Sequence, residues 1–160
     1  MASTMMQRLR AGWTRVATTR RRRRLANHAV TRMRAWHDKA TTVSPYGIPW
    51  KGHCAHSVAA GYGKQASGWD AIDGWRHTPE QYRHHGRNKA RPPRGALCYW
   101  AGGSGGYGHV AISNGRGKVW GVDLPVDGRI GLVPVGEVHQ RWGLTYLGWI
   151  WATDVAGWDL

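Results

Sequence analysis

At 160 residues the chain has the length of one domain with one core. No apolar run reaches 18 residues, which excludes a transmembrane helix, and two cysteines exclude a disulfide framework. Net charge is +14, and the first 40 residues hold 11 of the 23 Lys and Arg against a single acid, Asp38.

The chain reads as a basic leader over 1–24, an amphipathic helix over 25–42 and a body over 43–160. Residues 1–24 end in five consecutive arginines, Arg20 to Arg24. Such a run is expected to be solvated and partly disordered, and it suits electrostatic docking to a polyanion. The leader has no 7–15-residue apolar stretch, so a secretory signal is not expected. An Arg-rich, acid-poor leader is also the composition of an organellar transit peptide. Apolar residues at 26, 29, 30, 33, 36 and 40 follow helical spacing and predict one face packed on the body. His28 and His37 read as surface or capping residues.

VSPYGIPWKG, 43–52, is a loop by its Pro and Gly content. A helix opens at Cys54 and stops near Gly61. Ser67 and Asp70 have capping-box spacing before a short helix whose inner face is Trp69, Ile72 and Trp75. Thr78-Pro79 starts another helix, ended by Gly86. His77, His84, His85 and His139 read as surface residues. RNKARPPRG, 87–95, is a loop.

Short β-type runs follow: ALCYW, HVAIS and KVWGVD. GGSGGYG and the hairpin signal Asn114-Gly115 separate them. Asp127-Gly128 marks another turn. Pro134 opens the helix VGEVHQRW, Gly143 closes it, and TYLGWIWAT is a last buried strand. Helices first and an antiparallel sheet after them predict an α+β fold, with N-terminal helices packed on a small sheet.

Cys54 stands at the start of a helix, behind Gly52. Unpaired backbone N–H groups and the positive end of the helix dipole favour a thiolate there. A small buried core residue fits the same local setting. A nucleophilic Cys needs a base from elsewhere in the fold. His109 is the candidate, because it opens an apolar strand directly after a Gly-rich loop, where packing does not explain a polar ring. An acceptor must orient that base. Asp123 shares a strand face with Val119 and Gly121, and antiparallel pairing is expected to bring it near His109.

Three stretches carry a resemblance: GHCAHSVAAGYG around Cys54, RGALCYW, and GYGHVAISNGRGKVWGVD. Together they resemble the papain-like cell-wall hydrolases of the CHAP and NlpC types, in the versions of actinobacteria and their phages, over roughly 45–152. The family's common third position falls near Gly121, so Asp123 is the substitute here. The resemblance implies cleavage of an amide in the peptidoglycan stem peptide or cross-bridge, by an endopeptidase or an N-acetylmuramoyl-L-alanine amidase. Cys54 would be the nucleophile and His109 the base, with a thioester intermediate and no metal or other cofactor. Tyr46, Trp50 and His53 are put forward as oxyanion or substrate-binding residues, and His56 is expected to face solvent. The expected partners are peptidoglycan and an anionic wall polymer, or another polyanion, on the Arg-rich N-terminus. The absence of a signal suggests release by a phage or carriage in a virion.

Other readings stay open. His53, Cys54, His56, His84, His85 and Cys98 are conceivable zinc ligands, but H-C-x-H is not a common zinc spacing. A Cys54–Cys98 disulfide would silence the nucleophile. A basic leader with many aromatics could bind nucleic acid, although no specific nucleic-acid motif is present. The same Cys–His pair could also transfer an acyl group to an amine.

Overall fold

The computed structural model describes the backbone of 2–65, 68–86 and 91–160, with side chains of Met6 and of Ala17 onward in those ranges. Four helices pack on one antiparallel sheet, an α+β architecture. The helices are α1 (Ala2–Asp38), α2 (Cys54–Gly61), α3 (Ala71–His77) and α4 (Val135–Trp142). The strands are β1 (His84–His85), β2 (Leu97–Ala101), β3 (His109–Ser113), β4 (Lys118–Val122), β5 (Ile130–Pro134) and β6 (Thr145–Ile150). They lie in the order β1-β6-β2-β3-β4-β5.

The period of two along each strand builds two cores. Leu97, Tyr99, Val110, Ile112 and Val122 face α1 and α2, where they meet Met33, Val58 and Trp50. Cys98, Trp100, Ala111, Val119 and Val133 face the other way, toward Val138 of α4 and Leu144. Cys98 is fully buried, and both cysteines are free.

The expected break between leader and helix is absent, because α1 runs unbroken through residue 24. Arginine is a good helix former, so a run of it need not interrupt a helix. Ala26, Ala29, Val30 and Met33 are buried as the spacing predicts, and Trp36 packs at their edge. Ala40 lies beyond the helix with φ +49. The Arg run is not uniformly solvated. Arg22 bonds both carboxylate oxygens of Asp154 at 2.9 Å and Thr153 Oγ1 at 3.0 Å. Its guanidinium also lies 5.2 Å from the Trp151 ring centroid. Arg22→Ala is expected to cost about 1–2 kcal/mol, since a charge-assisted, part-buried pair that also bonds Thr153 exceeds an exposed one. That corresponds to a Tm drop of about 3–6 °C by thermal unfolding, against little change for exposed Arg23→Ala.

The short α3 is capped by Asp73, whose carboxylate accepts the Asp70 N–H at 3.3 Å. The expected Ser67 cap lies outside the described residues. Ile72 and Trp75 are buried on its inner face, while Trp69 is exposed. After Thr78 the chain makes one 3-10 turn, Glu80–Tyr82, and then enters β1. No helix among the described residues is long and apolar enough to cross a membrane.

Candidate active site

The chain enters α2 through a tight turn. Gly52 has φ +74, and the His53 N–H donates to the Trp50 carbonyl at 2.9 Å. His53 caps the helix, so Cys54 is its first residue. Cys54 keeps some contact with solvent, but burial of Sγ pushes the thiol pKa up. Backbone N–H groups of Val110, Ala55 and Cys54 itself pull it down, and the Asp123 carboxylate adds to the upward push. Val110 lies on β3, one residue along from His109.

His109 is 5% exposed, and burial drives its pKa down to about 3. Two indoles wall the ring, Trp142 at 4.9 Å and Trp100 at 5.9 Å between centroids. Its Nε2 is enclosed and has no hydrogen-bond partner among the described residues. On β4, a Cβ at Gly121 would stand 3.4 Å from Nε2. Gly108, just before the histidine, has φ +69, and a Cβ there would strike the Trp100 carbonyl oxygen at 2.5 Å. That close approach makes glycine necessary at the strand's mouth.

Asp123 is not the acceptor that the sequence suggests. Strand β4 ends at Val122, and Asp123 takes φ +58, so the chain turns away before the carboxylate can follow the strand face. Its Oδ2 accepts the Gly52 N–H at 2.8 Å and its Oδ1 the Gly128 N–H at 2.6 Å. It staples the approach to Cys54 onto the β4–β5 turn. Trp50 also departs from expectation. It is fully buried, with Nε1 donating to Thr41 Oγ1 at 3.1 Å, so it supports the loop from inside and offers no surface to a ligand.

Tyr46 is 40% exposed and stands edge-on to His56 at 5.9 Å. His53 is exposed, with Nδ1 2.9 Å from the Lys51 carbonyl oxygen. His56 does not face solvent. It is buried between Tyr46 and Trp50, and burial lowers its pKa.

Two depressions lie near these residues, one lined by His109 and the other by Ala55 beside Cys54. One, of about 970 Å³, is lined by Lys51, Gly52, Tyr107, His109, Asp123 and Trp142. The other, about 390 Å³ and mostly apolar, is lined by Ala55, Val58, Trp69, Tyr99, Val110 and Trp158. The Val110 N–H and the walls formed by Trp100 and Trp142 were not read from the sequence. A backbone donor leaves no sequence signal, and both indoles look like ordinary core residues.

The proposed zinc ligands do not converge, and no group of three or more metal-ligating side chains forms among the described residues. Cys98 lies in the core on the α4 side, and His84, in the edge strand β1, stacks on Trp149 at 3.7 Å.

No protein-family model matches the chain, and no curated protein matches it. Among solved structures it is similar to the P60 domain of an antigen from M. avium subspecies paratuberculosis. The identity is 21% and the TM-score 0.38, over 80% of this chain and 96% of that one.

Proposed function

We propose that the chain is a cysteine-dependent hydrolase of amide bonds in peptidoglycan peptides, with Cys54 as nucleophile and His109 as base. The observation that carries this reading is that α2, which Cys54 opens, packs on β3, which His109 opens, with one cleft lined by His109 and another by Ala55 beside Cys54. The sequence resemblance to the CHAP and NlpC types supplies the substrate class.

Burial keeps both partners neutral at rest, thiol and imidazole, because it opposes the thiolate–imidazolium pair. In the proposed reaction Sγ attacks the amide carbonyl carbon as its proton passes to His109. The oxyanion is held by the Cys54 N–H at the helix start. Collapse breaks the C–N bond, and the leaving amine takes the proton from His109. Water then attacks the thioester, giving a carboxylic acid and returning the thiol. The open, partly polar cleft beside His109 suits the peptide and the attacking water, and the apolar cleft beside Ala55 suits a small apolar side chain. Tyr46 and His53 are proposed to meet the substrate at the rim. Action at the bacterial wall, after phage release or from a virion, belongs to the same proposal.

The test is turbidity loss and amine release from purified actinobacterial cell walls. Wild type is expected to clear them, and Cys54→Ala to fall at least ~1,000-fold, since the covalent route vanishes. Mass spectrometry of the fragments then names the bond. Equal clearing by both proteins would remove Cys54 from the chemistry. Amide products formed only with an added amine acceptor would replace hydrolysis by acyl transfer.

A further inference from the structure

A second groove lies at the far end of the sheet strands from Cys54. Strand β3 begins at His109 in the candidate active site and ends at Ser113, roughly 13 Å away at the rise of a β-strand. The β3–β4 turn that follows is rigid. Asn114 Oδ1 accepts the N–H groups of Arg116 at 2.7 Å and Lys118 at 3.1 Å, and Ser113 Oγ accepts that of Gly115 at 3.0 Å. This turn packs on the 92–95 segment, where the Gly95 N–H donates to the Ser113 carbonyl at 2.8 Å. Between the turn and α1 runs a groove of about 1,470 Å³ floored by Val30, Trp120 and Leu132, with Arg34, Arg94 and Arg116 along it.

A second depression of about 800 Å³ continues it, sharing Asn27, Pro93 and Arg94 and adding Arg23. None of the residues lining either part is an Asp or Glu. Arg94 is aimed, because its Nε donates to Asn27 Oδ1 at 2.9 Å and its two terminal nitrogens have no hydrogen-bond partner among the described residues. Arg34 has only a loose 3.7 Å approach to exposed Asp38, whereas Arg22 is held by Asp154 and takes no part. From Arg23 to Arg34 the helix advances about 16 Å. A row of forked, permanently charged guanidinium groups over that length matches successive phosphates of an extended chain.

We propose that this groove binds a linear phosphodiester polymer with a polyol or sugar backbone, an anionic polymer of the cell wall. Its source, though not its chemistry, rests on the wall-hydrolase reading. The aromatic rings favour this occupant over a single-stranded nucleic acid, which needs free ring faces for its bases. Trp120 is 6% exposed and meets His37, and the Arg22 guanidinium covers Trp151. The groove therefore offers charge and an apolar floor, but no stacking platform. It would hold the protein on the wall while the opposite end of the sheet works on peptides.

The experiment measures binding of purified poly(glycerol phosphate) to Cys54→Ala protein between 50 and 200 mM salt, so catalysis does not enter. Arg94→Gln/Arg116→Gln is expected to weaken binding at least ~10-fold and to flatten the log–log salt slope by about 1.4, two phosphate contacts' worth. Arg20→Gln/Arg21→Gln, exposed outside the groove, is expected to change affinity less than ~3-fold. If the first pair lowers the Tm, the single Arg116→Gln in the exposed turn replaces it, with a slope change near 0.7. Three results would overturn the proposal. They are no binding at 50 mM salt, equal loss with the Arg20/Arg21 pair, or tighter binding of a single-stranded or duplex DNA of equal charge. Wall clearing without polymer binding would sink the groove alone, and polymer binding without clearing would sink the hydrolase reading and leave the groove.

Discussion

Replacing Asp123 with alanine is expected to lower stability by about 3 kcal/mol and cell-wall activity by more than ~10-fold, with the pH profile of the remaining activity unchanged. The carboxylate accepts two backbone N–H groups, from Gly52 and Gly128, and charged acceptors give the stronger hydrogen bonds. Alanine would also hold φ +58, a conformation costing roughly 1 kcal/mol more without a short polar side chain. Asp123→Gly relieves that backbone cost and should recover about 1 kcal/mol over alanine, but no activity. Asp123→Asn tolerates the left-handed backbone and keeps an oxygen for Gly128. It turns an N–H₂ against the Gly52 N–H, so the approach to Cys54 loosens. An orienting role toward His109 predicts the reverse pattern: Asp123→Asn with wild-type Tm and a shifted pH profile. Denaturant midpoints together with pH–rate curves for the three variants separate the two.

The same residue shows where sequence reading stops. Helix α2 is legible from Cys54 to Gly61, and α4 is legible because Pro134 opens it and Gly143, at φ +64, closes it. Strands β2, β3, β4 and β6 follow from β-branched and aromatic runs between glycines. Strand β5 escapes because IGLVP is short and ends in Pro134, read as the start of a helix. Strand β1 has only two residues, His84 and His85, and exists through pairing with Trp149 and Gly148, which local sequence does not encode. Cys54 and His109 stand out in the sequence because a polar residue opens an otherwise apolar element. Asp123 misleads because period-two counting assumes the strand continues through it, and its positive φ ends that count. Trp50 and His56 mislead because a loop rich in Pro and Gly looks exposed, while here it wraps both side chains.

Acidification is the second large effect, and its source is His109. The unfolded chain takes up a proton there near pH 6.5, but the folded protein only near pH 3. Between those values the unfolded state binds more protons, so stability falls as pH drops and is fully regained above pH 6.5. Between pH 7 and pH 4.5 the expected loss from this residue is about 2–3 kcal/mol, read from urea midpoints. His56 and His84, both lowered by burial, push the same way. His109→Gln carries no titratable group, so its stability should change by less than about 1.5 kcal/mol over that range. Identical pH slopes for wild type and variant would mean that the ring is hydrated and that Nε2 is not sealed off. The cause of the shift is local. Trp100 and Trp142 cover the ring, and Gly121 presents no acceptor to Nε2, so nothing stabilises an imidazolium there. In the proposed reaction, a base held neutral to so low a pH is free to accept a proton but is a weak base. The proposed chemistry therefore needs the start of α2 held against β3, and the Asp123 staple to Gly52 fixes the entry to Cys54.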